Sequence, residues 1–106
     1  MSAIREAQQA LTTRILDGAG EAPIAQRRAA FDNAGSAEGL AAVVKKLVNK
    51  VANEAYKVTD EDIAGVRASG MTEDQVFEIV VCAAVGQATR QYDAALAALD
   101  AATGKE

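Results

Sequence analysis

The chain has 106 residues and a formal net charge of −4, and its only aromatic residues are two Phe and two Tyr. This is the length of one domain with one core, so we expect residues 1–106 to form a single domain. The acidic balance excludes the basic surface of a nucleic-acid-binding protein, and the lack of histidine excludes His-dependent catalysis and the usual zinc sites.

The apolar residues recur three and four positions apart and never alternate, which predicts an all-α protein. The first helix is expected over residues 2–17, and the second over residues 24–33 with Pro23 in its first turn. Ser36 is predicted to cap a third helix. One stripe of this helix is apolar and is expected to face the core: Leu40, Val43, Val44, Leu47, Val51 and Val58.

Two further helices are predicted to begin at capping boxes, Thr59 with Asp62 and Thr72 with Gln75. The last helix is expected to reach about residue 102, which gives about five helices in all. Its first half is apolar apart from Glu78 and should be buried, and Gly86 there indicates close approach of a neighbouring helix. Its second half is expected to point four residues inward: Tyr92, Ala95, Leu96 and Leu99.

The candidate catalytic residues are Glu54, Tyr56 and Lys57, at the end of the third helix. Helical geometry places Glu54 within about 20° of the apolar stripe, and a carboxylate there can be a general acid or base with Tyr56 or Lys57 as a donor. The structural alternative is an ion pair, and we apply both interpretations to Glu78 as well. The cations expected to pair with Glu54 are Lys50, Arg67 and Arg90.

Other polar residues have simpler explanations. A row of side chains on the third helix either holds a small anionic ligand or forms a solvated outer face: Lys46, Lys50, Asn53 and Lys57. The acidic run at residues 60–62 suits the positive end of a helix dipole, so we predict no metal ion and no cofactor. Cys82 is expected to be a small buried apolar residue.

Residues 50–62 (KVANEAYKVTDED) and 68–78 (ASGMTEDQVFE), with the Ala-rich helix that follows, resemble the AhpD-like, carboxymuconolactone decarboxylase-like superfamily. The most specific part of the resemblance is Gly-x6-Phe-Glu at Gly70, Phe77 and Glu78. The resemblance implies an AhpD-like multihelical bundle, a homo-oligomer built from packed helices, and a pocket near the turn at residues 55–62.

The redox branch of that superfamily carries a Cys-x-x-Cys-x-x-x-His motif and a relay Glu. Aligned on Gly70, these positions hold Ala55, Val58, Asp62 and Val43, so thiol peroxidase chemistry is not expected. The resemblance therefore implies a non-redox member with a structural or small-ligand-binding role. The alternatives are a cofactor-free lyase that acts on a small carboxylated substrate and, more weakly, an adaptor that presents a helical face.

Self-association is also expected, because a chain of this size with few large side chains buries little apolar area by itself. The contact surfaces predicted are the apolar face of the first helix and the Ala-rich second half of the last. No apolar run approaches the roughly 20 residues of a bilayer span, and the first residues contain no signal-peptide core, so we expect a cytoplasmic protein.

Overall fold

The computed structural model describes residues 2–32 and 40–104, and these ranges contain five α-helices and no strand. The all-α prediction is therefore confirmed. The predicted cap at Ser36 and the predicted end of the second helix at Asn33 lie outside the described residues. The helices are α1 (Ser2–Asp17), α2 (Ile24–Asp32), α3 (Ala42–Glu54), α4 (Asp60–Ala68) and α5 (Glu73–Thr103), with a short 3₁₀ helix at Ala55–Lys57.

The core lies along the first half of α5, where α2 and α3 pack against it. α3 presents the apolar stripe expected from its spacing, although the helix ends at Glu54 and not beyond Val58. Val58 is extended because it precedes the cap of the next helix, and it rests half-buried against the core. The buried residues of α3 and α5 include Val44, Leu47, Val48, Val51, Val76, Ile79, Cys82 and Ala83.

Both capping boxes form as predicted. The Thr59 hydroxyl accepts from the Asp62 amide, and the Asp62 carboxylate accepts from the Thr59 amide at 2.9 Å. Thr72 and Gln75 make the same reciprocal pair at the start of α5. These local hydrogen bonds satisfy amides that a helix leaves unpaired in its first turn, and they fix where α4 and α5 begin.

α2 and α5 approach each other closely at Gly86. A Cβ atom at this position would overlap the carbonyl oxygen of Phe31, so the contact requires a residue without a side chain. One turn later, Arg90 donates to the carbonyl oxygens of Phe31 at 2.6 Å and Asp32 at 3.2 Å. The close approach predicted from Gly86 is confirmed, and Arg90 caps the end of α2.

The second half of α5 differs from the prediction. Phe77, in the first half that was expected to be buried, is 68% exposed and lines a cavity between α1, α2 and α5. In the second half Tyr92, Ala95 and Leu99 are exposed, where the spacing had placed them inward. The reason is length: α5 has 31 residues and is about 46 Å long at 1.5 Å per residue, whereas α2 and α3 have nine and 13. The shorter helices cover only part of α5. No helix in the described ranges has the length and apolarity of a membrane span.

Candidate functional site

Glu54, Tyr56 and Lys57 lie together on the surface at the end of α3. The Lys57 Nζ is 2.8 Å from the Glu54 carboxylate and 5.8 Å from the centre of the Tyr56 ring. The Tyr56 side chain is 84% exposed, and that of Glu54 is 47% exposed. The expectation that Glu54 faces the core is therefore wrong. The backbone leaves helical geometry at Glu54, and Lys57 holds its carboxylate in solvent.

The three cations expected to pair with Glu54 have other partners. The Lys50 Nζ is 2.7 Å from the Asp62 carboxylate, and Lys50 together with the Thr59 amide lowers the pKa of Asp62 to about 2. Arg67 lies 3.8 Å from Glu73 of the next helix. Arg90 caps α2. Glu54 is thus part of a surface pair with Lys57 and has no role in bracing the core.

The turn where the resemblance places a pocket has a small cavity of about 220 Å³ beside it, which reaches Asp62 and not Ala55. Asp62 is held there by its capping box and by Lys50. Across the described ranges, no three Asp, Glu or Cys side chains are grouped as the ligands of a metal ion would be.

A larger group of chemically active side chains surrounds the end of α1. Here α1, α2 and α5 enclose a cavity of about 320 Å³ that opens to solvent on one side. Its volume is at the lower end of the range of small-molecule sites in proteins, about 300–1,000 Å³. The lining residues are Arg14, Ile15, Gly18, Ala19, Arg27, Phe77, Glu78, Val81 and Cys82.

Arg27 is the buried charge of this cavity, with 5% of its surface exposed. Its Nε donates to the carbonyl oxygen of Ala22 at 2.9 Å. Its Nη1 donates to the carbonyl oxygens of Gly18 at 2.7 Å and Ile15 at 3.3 Å, which end α1. A cation suits this place because the carbonyl groups of the last helical turn carry partial negative charge. Arg27 therefore joins the end of α1 to the start of α2.

The second terminal nitrogen of Arg27, Nη2, makes no hydrogen bond to any described residue. Among the described residues, the polar side-chain atom that is fully buried without a hydrogen-bond partner is Oε1 of Gln8, and not Nη2 of Arg27. No carboxylate of the described ranges lies within 4.0 Å of the guanidinium. A nearly buried cation that lines the cavity thus has one nitrogen with no partner among the described residues.

Glu78 lies on the same cavity, but its carboxylate is already engaged. It accepts from the backbone amides of Glu21 and Ala22, both at 2.8 Å. The expected pairing with an arginine is therefore wrong, because the connection between α1 and α2 supplies two amides in its place. A Cβ atom at Gly20 would lie 2.7 Å from the Glu78 oxygen, so a larger residue there would displace the carboxylate. Gln75 adds a hydrogen bond to the carbonyl oxygen of Glu21 at 3.2 Å.

Cys82 lines the cavity, and its thiol is buried. Burial raises the pKa of Cys82 to about 11; the Arg27 charge opposes this rise and the Glu78 charge adds to it. Its Sγ lies 3.6 Å from the carbonyl oxygen of Ile15. The thiol is protonated at neutral pH and is a poor nucleophile. Its expected role as a small buried apolar residue is consistent with this environment.

Arg14 is the second cation that lines the cavity. It is exposed and has no carboxylate partner among the described residues. Two guanidinium groups thus face one carboxylate that is held by amides, beside an apolar wall of Ile15, Phe77 and Val81. The arrangement suits a ligand with one anionic group and an apolar body.

The sequence carries a signal for Arg27, although Arg27 is not among the predicted site residues. Arg27 lies three and four residues before Ala30 and Phe31, so it shares the face that anchors α2 to the core. An arginine on such a face must find acceptors, because an unpaired buried charge is costly. The acceptors themselves could not be found from α2 alone, since they belong to the end of α1.

Comparison of the chain with family models, with curated proteins and with solved structures finds no match.

Proposed function

We propose that this protein is a non-redox, AhpD-like helical homo-oligomer that binds a small carboxylated ligand in the cavity between α1, α2 and α5. The observation that carries the proposal is Arg27, a nearly buried guanidinium that lines that cavity and whose Nη2 has no partner among the described residues. The AhpD-like part of the proposal rests on the sequence resemblance of residues 50–62 and 68–78, and the all-helical fold agrees with it.

The chemistry of the cavity favours an anion over a neutral ligand. Arg27 is fixed by three hydrogen bonds to carbonyl groups, so its remaining donor is held in position before a ligand arrives. A carboxylate there gains a charge-assisted hydrogen bond, and Arg14 adds a second cation from the rim. Phe77 and Val81 provide the apolar surface that an organic acid covers and an inorganic anion does not.

The experiment is an NMR titration of the full chain with benzoate, and with benzamide as the neutral molecule of the same shape. Benzoate should shift the backbone amides of residues 14–22 and 78–82, and benzamide should bind more weakly. Arg14→Gln removes a charge from an exposed position and should weaken benzoate binding about tenfold, since a hydrogen bond to a charged group contributes about 1.5 kcal/mol.

Arg28→Gln is the matched control. Arg28 is also exposed and on α2, but it pairs with Asp17 and does not line the cavity, so its removal should leave the benzoate affinity unchanged. Equal binding of benzoate and benzamide would contradict the proposal. So would shifts confined to the groove on α3 that Lys46, Lys50 and Asn53 line, or an Arg14→Gln variant with the affinity of the parent.

The lyase alternative stays a prediction that requires Glu54 to exchange a proton with a substrate. Glu54 is paired with Lys57 and open to water, and Tyr56 beside it is almost fully exposed. Glu54 therefore lacks the water-excluded environment in which a carboxylate usually serves as a general acid or base. The cavity beside Arg27 is the better supported site.

A further inference from the structure

The apolar residues that α1 and α5 leave exposed form one continuous surface. A shallow cavity of about 280 Å³ with almost wholly apolar walls lies between the two helices, and its lining includes Ile4, Leu11, Val85, Ala88 and Tyr92. Leu99, 58% exposed, lies two turns beyond Tyr92 on α5. We call these six residues the α1–α5 face.

The spacing along α5 is that of a helix which packs lengthwise against another helix. Val85, Tyr92 and Leu99 are seven residues apart, and Ala88 lies three residues after Val85. Apolar residues at intervals of seven and three form the seam of a coiled coil. Large side chains alternate with alanines along this seam. The large side chains of a second helix can therefore pack into the spaces over the alanines.

The exposed area of the chain is sufficient for a stable interface. Its accessible surface is 6711 Å², whereas a compact monomer of 11.0 kDa is expected to expose about 5,600 Å². The excess, about 1,100 Å², exceeds the roughly 800 Å² that each partner buries in a standard protein interface. The radius of gyration, 15.2 Å against about 13 Å for a compact chain of this length, shows the same extension.

We infer that a second copy of this chain covers the α1–α5 face, with the two α5 helices antiparallel and centred on Tyr92. In this register residue 99 of one copy lies opposite residue 85 of the other, because both are seven residues from the centre. Leu99 of each copy then fills the cavity beside Val85 and Leu11 of the other. The inference deepens the proposed homo-oligomer and rests on it.

The charges beside the face favour a second copy over an anionic membrane. Arg5 on α1 lies 3.9 Å from Asp93 on α5, and Asp100 follows Leu99. In the antiparallel register residue 93 of one copy lies opposite residue 91 of the other, which brings Arg5 of one copy near Asp93 of the other as well. An anionic lipid surface would be repelled by Asp93 and Asp100.

The first experiment measures the mass of the full chain by light scattering. The parent should have a mass of roughly 22 kDa, twice that of the 11.0 kDa chain. Leu99→Glu and Leu11→Glu should each raise the dimer dissociation constant at least about a hundredfold and give the mass of the single chain. Ile24→Glu is the control, because Ile24 is 45% exposed but lies outside the face, and it should remain dimeric.

A second experiment tests the register in the folded dimer. Tyr92→Cys should form a disulfide between copies under mild oxidation, because residue 92 meets itself at the centre of the seam. Ile24→Cys should not form one, and the buried Cys82 of the parent does not interfere.

The outcomes separate the inference from the proposal on which it rests. A parent with the mass of a monomer overturns both. A parent that associates while Leu99→Glu and Leu11→Glu keep its mass, or a trimer or larger assembly, overturns only the inferred interface. A dimer in which Tyr92→Cys does not cross-link overturns the antiparallel register.

Discussion

Glu78 shows how one carboxylate can organise a connection far away in the sequence. Its two oxygens accept from amides 56 and 57 residues earlier, in the segment that joins α1 to α2. Without these bonds the amide of the buried Ala22 would lack a partner, and leaving such a group unpaired is costly. Arg27 donates to the carbonyl oxygen of Ala22 in the same segment. The Glu78 carboxylate and the Arg27 guanidinium therefore both hold this connection in place.

Glu78→Gln should lower the free energy of unfolding by about 1–3 kcal/mol, because the amide can accept from only one of the two backbone groups and turns its own donors toward the other. Urea denaturation followed by circular dichroism measures the difference. Glu6→Gln, at an exposed position of α1, should change it by less than about 0.5 kcal/mol. If the two variants unfold at the same urea concentration, the bonds from Glu78 do not stabilise the connection.

The sequence marked Glu78 as unusual but could not name its partners. The signal was a single polar residue in an apolar half-helix, which is visible in any helical projection. The partners are backbone amides, and every residue except proline has one, so no residue type reveals them. The prediction that Glu54 faces the core was wrong for a different reason, which is local. Its direction was extrapolated along a helix that ends at that residue.

At the scale of elements, the starts of α4 and α5 could be predicted because a capping box involves residues only three apart. The role of Gly86 could be predicted in part. Glycine is unfavourable in the interior of a helix, and close packing of a neighbouring helix is the simplest compensation. The sequence could not show that the partner is the end of α2, since Phe31 is 55 residues away and its carbonyl oxygen carries no identity.

Gly86→Ala should destabilise the fold, because the new methyl group overlaps the Phe31 carbonyl oxygen and backbone has little room to move. We expect a loss of about 1–3 kcal/mol or more, although alanine alone would favour the helix by about 1 kcal/mol. The matched variant is Gly65→Ala in α4, where a methyl group would meet only the Val43 side chain at 3.7 Å. It should raise stability by about 0.5–1 kcal/mol.

Thermal melts of both variants check the pair. The decisive quantity is the difference in sign, since both positions exchange glycine for alanine inside a helix. Two variants that are both stabilised would mean that α2 and α5 are not in close contact at Gly86.

At the scale of the whole molecule, the chain divides into a core and an extension. The core residues lie on the first half of α5 and on the helices that cover it, whereas the α1–α5 face reaches the end of a molecule 51 Å long. Self-association was expected from composition because few large side chains are present, and both surfaces named from the sequence do carry exposed apolar residues. The inward direction assigned to Tyr92 and Leu99 was wrong, because periodicity identifies an apolar face without telling which chain covers it.

If a second copy covers that face, folding and association are linked, and thermal stability must depend on protein concentration. A hundredfold rise in protein concentration stabilises the dimer by about 2.7 kcal/mol through mass action. For two chains of this combined size, each kcal/mol of added stability raises the melting temperature by about 2–4 °C. The melting temperature of the parent should therefore rise by roughly 5–10 °C between 1 and 100 times the lowest usable concentration. Leu99→Glu should melt at one temperature throughout, because its face no longer accepts a partner. A parent whose melting temperature is independent of concentration would show that its stability comes from the core alone, whatever its mass in solution.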